Sequence, residues 1–241
     1  MRICPQAATA AVVLAVAGFA RQVPSFPGTF VRHPAVPATA ARNECVALGD
    51  GMFDPSVPEI GPCLPLGLQA AGLTGNVAWI FGVYDRRWLL APADTVAERE
   101  VVLYTKPREN DSVGLTPVWH YRYEPEMLAS ATPEVAPAPG GAVLLSIREC
   151  VNGTGGCGQS FALLNRGSPT TVRLAFLDSL SRRFPGGIQH GFQVNVRTLR
   201  GSVALYSPGD ANCCPSTIGD FSLRLRGNTL ELATLKLRRA D

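Results

Sequence analysis

The chain has 241 residues, with 22 Lys and Arg against 19 Asp and Glu, a formal net charge of +3. That balance is too weak to point to a nucleic-acid partner. The length suits one large β domain or two small ones.

Residues 1–20 read as a secretory signal peptide. Met1-Arg2 supplies a positive charge, and Ala7 to Ala20 is an uncharged apolar run, too short to span a bilayer as a helix. Gly18-Phe19-Ala20 puts small residues where a signal peptidase reads, so cleavage is expected after Ala20. No cysteine follows the run to carry a lipid anchor, and Cys4 leaves with the peptide. No later segment is long and apolar enough to cross a membrane as a helix. The mature chain is therefore expected in a secreted or periplasmic space without a transmembrane segment.

Residues 21–43 hold four prolines and no apolar period, and read as a flexible Pro/Ala-rich tether. An N-terminal β unit is expected over 44–130. Within it, Gly49 to Gly75 reads as turns and loops with a short helix at Leu66 to Gly72. The first clear strand is Asn76 to Tyr84, with Val77, Trp79, Phe81 and Val83 on one face. Asp85-Arg86-Arg87 reads as a turn, Trp88 to Leu90 as the start of a return strand, and Asp94 as the cap of a short helix. Strands follow at Val101 to Tyr104 and Val118 to Tyr123, separated by a polar loop from Lys106 to Thr116. In the second of these, Trp119, Tyr121 and Tyr123 share one face, with His120 and Arg122 on the other, where His120 is expected to meet solvent.

Ala131 to Gly141, with three prolines and two terminal glycines, reads as a linker to a disulfide-stapled C-terminal β domain over 142–241. Ala142 to Ile147, Ser160 to Leu164, Thr171 to Asp178 and Phe192 to Arg197 read as strands, with Arg200-Gly201 as a turn before Val203 to Tyr206. The last hairpin is the clearest. Leu223 and Leu225 alternate with Ser222, Arg224 and Arg226, Gly227-Asn228 supplies the turn, and Leu230 and Leu232 continue the apolar face. Leu235 and Leu237 are one residue out of phase, which a β-bulge near Ala233-Thr234 would restore. The arginines here read as the solvated face of a half-buried sheet. The expected fold is all-β and antiparallel, sandwich- or barrel-like, as two small units with little helix. A single fused β domain is the alternative.

Without Cys4 there remain Cys45, Cys63, Cys150, Cys157, Cys213 and Cys214, an even set suited to disulfides in an oxidising compartment. Proximity pairs Cys45 with Cys63. Two arrangements are open for the others. Cys150 could pair with Cys157, leaving Cys213 and Cys214 as a strained vicinal bond. Cross-pairing between the two clusters closes loops of about sixty residues, worth roughly 4 kcal/mol in the chain-entropy model against about 2.5 for the short loop, and is the favoured arrangement. Adjacent thiols also allow a redox pair or a soft-metal site, but no His stands near Cys213 to complete one, and neither metal nor other cofactor is expected.

The second half resembles a loosely defined group of secreted bacterial β domains, over about residues 141–235. The resemblance rests on Gly141 to Ile147, the loop from Glu149-Cys150 to Cys157, Ser160 to Gly167, and Ala175 to Ser179. Tyr206, the string Gly209-Asp210-Ala211-Asn212-Cys213-Cys214-Pro215-Ser216, and Thr229-Leu230 complete it. It implies an envelope-associated β domain and no activity. The group's aspartate-rich loop after the first strand is absent here.

No catalytic constellation is legible. The histidines are His33 in the tether, His120 on a strand and His190 in a Gly-rich turn, and there is neither a G-x-S-x-G elbow nor an H-E-x-x-H helix. The remaining surface candidates are Trp119, His120 and Tyr121 with Glu124 and Glu126, where aromatic rings and paired carboxylates could meet a sugar. The expected role is a non-catalytic binding or structural envelope module, meeting an envelope protein, a glycan or the cell wall. An extracellular enzyme or a thiol redox or soft-metal protein is the alternative.

Overall fold

The computed structural model describes residues 26–44, 63–91, 94–108, 114–125, 128–151, 156–165, 168–185, 187–188, 191–211 and 214–240. Residues 1–20, read as a signal peptide, and Cys45, Cys213, His190 and Glu126 lie outside them. The described residues form an all-β fold of three antiparallel sheets.

The first sheet has the order β1-β5-β4-β3-β2, from β1 (Thr29–Phe30), β2 (Leu64–Thr74), β3 (Val77–Ala91), β4 (Asp94–Pro107) and β5 (Thr116–Tyr123). The middle sheet runs β6 (Leu128–Pro137), β7 (Val143–Val151), β8 (Cys157–Asn165), β9 (Ser168–Thr171). The third runs β10 (Phe192–Asn195), β11 (Arg200–Leu205), β12 (Thr217–Arg226), β13 (Thr229–Arg239). Two helices join them, α1 (Ala38–Asn43) and α2 (Ala175–Arg183).

The middle sheet is covered on both faces. Val135, Leu145, Ile147 and Ala162 join Trp79, Phe81, Leu103 and Trp119 of the first sheet in one core. Ala136, Leu144 and Phe161 join α2 and the third sheet in a second core, with Phe176, Leu180, Val203 and Phe221. This explains why β7 reads as a nearly unbroken apolar run: a strand packed on both sides has no polar face to alternate. Its buried Ser146 accepts from the Gln159 amide at 2.8 Å. The same amide clamps Val194 of β10, donating to its carbonyl at 2.9 Å and accepting from its N–H at 2.8 Å.

The C-terminal hairpin forms as its alternation predicts. Gly227 has φ +56°, the turn conformation a side chain resists. The register slips between Ser222 and Leu223, pairing Ser222 with Thr234 and Leu223 with Leu232, so Ala233 is the extra residue of a bulge. Arg224 and Arg226 are exposed.

Elsewhere the structure corrects the reading. Residues 131–141 are no linker. They form most of β6 and a 3-10 turn (Pro139–Gly141), and β6 is an edge strand, where Pro133 and Pro137 cost no central ladder bond. Residues 26–43 are no tether. Phe26 is buried in the first core, β1 pairs with β5, Val36 bridges Leu115, and Ala41 of α1 is fully buried. Leu64 to Thr74 is a strand in place of the expected loop and short helix at Leu66 to Gly72; its glycines and prolines suggested turns, and register shifts at Pro65/Gly67 and Ala70/Gly72 break its alternation. Residues 85–91 and 94–99 extend the long β3–β4 hairpin in place of the expected turn and helix. Ala175 to Arg183 is a helix, with Phe176 and Leu180 four apart and buried. The turn before β11 lies at Val196 to Leu199, where Asn195 Oδ1 accepts from the Arg197 and Thr198 N–H groups at 3.1 and 3.0 Å.

Candidate functional site

On β5, side chains alternate as the sequence indicates, but both faces are covered. Trp119 has no exposure and stacks with Tyr121 at 6.1 Å, and Tyr121 with Tyr123 at 5.7 Å. Phe26 packs on Trp119, whose indole N–H donates to the Pro27 carbonyl at 3.0 Å. The aromatic stripe is thus interior, and anchors the N-terminal segment, rather than an exposed sugar platform. Tyr121 is half-buried and donates to Glu149 Oε1 at 2.7 Å. Burial, then the Glu149 contact, pushes its hydroxyl pKa up. Glu124 is half-buried.

His120 does not face solvent; it is 3 % exposed. On this outer face the register sets Glu100 of β4 opposite Tyr84 on β3 and Arg122 on β5. Glu100, with no exposure, accepts from His120 Nδ1 at 2.9 Å, from Arg122 Nε at 2.9 Å and from Arg86 Nε at 3.1 Å. Burial alone would raise its pKa. The His120 hydrogen bond and the Arg122 and Arg86 charges outweigh that and hold the carboxyl below its ordinary value. Beside it Tyr84 and Tyr104 share a hydroxyl contact at 2.7 Å, and Tyr84 donates to the Ala41 carbonyl of α1 at 2.5 Å. Burial raises both phenol pKa values.

A carboxylate-held imidazole is one part of a general base. His120 Nε2, however, is buried and has no hydrogen-bond partner among the described residues, so no nucleophile of those residues stands within its hydrogen-bond reach. The cluster's geometry fits a buried ion network that fastens the outer face of the first sheet.

The cysteines also correct the reading. Cys150 pairs with Cys157, not with the 213–214 cluster. The two stand directly opposite in the β7–β8 ladder with Cα atoms 4.0 Å apart. Hairpin register brings them together during folding, so loop entropy does not choose the partner. Cys63 is also disulfide-bonded. The loop that carries Cys214 is folded on Asp210, whose Oδ2 accepts from the N–H groups of Ser207 and Ser216 at 2.8 and 2.9 Å. Those two bonds lower its pKa. The aspartate and serine of the Asp-x-x-Cys-Cys-Pro-Ser string therefore hold each other. Among the described residues no three His, Cys, Asp or Glu side chains converge as a metal site would.

Among the described residues an opening lies between the first two sheets. Along one side their edge strands meet closely: a Cβ on Gly72 of β2 would stand 2.5 Å from the Val135 carbonyl of β6. On the other side, towards β1, β5, β8 and β9, the sheets leave a cavity of about 890 Å³. Phe30, Trp79, Val118, Val143, Leu164 and Pro169 form its apolar walls, and Arg32, His33 and Thr116 its polar lining. Sequence reading missed it because Phe30, Arg32 and His33 were placed in a tether, and no local pattern shows that two sheets diverge. Glu100 and Arg86 were missed because only the strand register joins them to His120.

The described residues form an all-β protein of three sheets with a cavity between the first two. No family model, no curated protein and no solved structure matches the chain.

Proposed function

We propose that the chain is an exported, non-catalytic binding protein of the secreted or periplasmic space, which takes a small apolar ligand into the open side of its first sandwich. The observation that carries this is the cavity of about 890 Å³ walled by Phe30, Trp79, Val118, Val143 and Leu164. Ligand sites are concave, mostly apolar, of roughly 300–1,000 Å³, with a few polar groups at fixed places. The Cys150–Cys157 disulfide supports an oxidising compartment. No helix among the described residues is long and apolar enough to cross a membrane. An envelope protein or glycan remains the alternative partner.

The test is a titration of the oxidised protein with a neutral fluorescent apolar probe, N-phenyl-1-naphthylamine. Saturable enhancement at one probe per chain is expected, and Val143→Trp, which fills the cavity, should abolish it. Absence of saturable binding, or binding that survives Val143→Trp, would sink the reading.

A further inference from the structure

We infer that the cavity's ligand is an amphipathic anion, an alkyl chain ending in a carboxylate or similar headgroup, with the chain between the sheets and the headgroup at Arg32 and His33. This rests on the binding reading above and names its ligand class. The lining is divided by chemistry. Its interior is aliphatic and aromatic, whereas both charged or titratable side chains on it, Arg32 and His33, are basic. Among the described residues no acid lines the cavity. Arg32 is exposed and makes no ion pair among the described residues, so its guanidinium is available to a ligand.

The two basic residues are held in place. Phe30 pairs with Trp119 across β1–β5, and the Val31 N–H donates to the Val118 carbonyl at 3.0 Å. The chain is thereby fixed immediately before Arg32. His33 Nδ1 lies 2.8 Å from the Pro34 carbonyl, which can only accept, so Nδ1 carries a proton. A neutral apolar ligand would leave the Arg32 guanidinium without a counter-charge, and a cationic one would be repelled.

The experiment displaces the neutral probe from the full oxidised chain with three twelve-carbon competitors below their micelle concentrations: dodecanoate, dodecanol and dodecyltrimethylammonium. Dodecanoate is expected to displace at a concentration at least tenfold lower than dodecanol, and the ammonium most weakly. Arg32→Gln, an exposed change, should erase the preference for dodecanoate over dodecanol, each read against the variant's own probe affinity. An intact thermal midpoint would confirm that the variant folds. If the probe binds but dodecanol competes as well as dodecanoate, or Arg32→Gln keeps the preference, the anion inference falls and the binding reading stands. If neither probe nor dodecanoate binds, both fall. A fourth arm separates free ligand from membrane. Sedimentation with phosphatidylglycerol vesicles while dodecanoate fails would make the basic mouth a lipid-surface contact and overturn the inference.

Discussion

The middle sheet presents apolar side chains to two cores, and the two are closed differently. Towards the third sheet, α2 lies in the second core. Phe176 meets Phe192 edge-on at 5.1 Å and Phe221 at 5.5 Å, and Leu180 is fully buried one turn on. Towards the first sheet no helix of the described residues enters the core. That sandwich is shut on one side by the approach of two edge strands, and gapes on the other, where Phe30, Val118, Val143 and Leu164 are only partly buried. The difference separates two uses of the same sheet. One face is packed against α2 and the third sheet, and the other is left open towards β1, β5, β8 and β9.

The comparison is tested first at the filled face. Phe176→Ala is expected to destabilise by about 3–5 kcal/mol, the cost of a large cavity in a core with no exposure there, read by denaturant unfolding. A loss below about 1 kcal/mol would mean that α2 is not the closing element.

On the outer face of the first sheet, Glu100→Ala leaves His120, Arg122 and Arg86 without their shared carboxylate, and should cost roughly 3–5 kcal/mol. The pH dependence has a definite sign. The folded pKa of Glu100 is lowered from 4.5, so its stabilisation is complete above that value and is lost as pH falls through the lowered one. Unfolding midpoints measured from pH 6 down to about pH 2 should therefore fall more steeply in the wild type than in Glu100→Gln. Parallel curves would remove Glu100 from the acid transition.

Much of the strand inventory was legible and little of its assembly. Alternation located β10 and the β12–β13 hairpin, down to the bulge at Ala233, because each has one covered and one wetter face, and it located β5 although both of its faces are covered. It failed at β2, where two register shifts break the period, and at α2, where Val172, Leu174 and Phe176 mimic alternation before Leu180 reveals a helical spacing. It failed at β6 because prolines suit an edge strand as well as a linker. Of the residues expected at a site, Trp119 and His120 went inward, since an apolar face was assigned without knowing that the opposite face is covered too. The cavity depends on how two sheets diverge, which no single strand encodes.

The Cys150–Cys157 bond staples the end of the β7–β8 hairpin, next to Arg148, whose Nη2 approaches Cys157 Sγ at 3.6 Å. A Cys150→Ser/Cys157→Ser double variant should lose about 2.5 kcal/mol, because the unfolded chain regains the freedom of a short loop. The cavity lies elsewhere on the middle sheet, so probe binding should persist. Loss of binding would tie the two sheet ends together.

The smallest effect bears most directly on the contrast between the closed and open sides of the first sandwich. Gly72 faces the Val135 backbone with no room for a methyl group. Gly72→Ala must push β2 from β6 and should cost roughly 1–3 kcal/mol, as overpacking does. Leu164 lies at the cavity wall and is half-buried, so Leu164→Ala removes contacts on one side only and should cost about 1 kcal/mol or less, while weakening probe binding. Removing three heavy atoms would then destabilise less than adding one. That inversion holds only if the sheets touch at Gly72 and part at Leu164; the opposite order in paired urea titrations would place the gap on the other side.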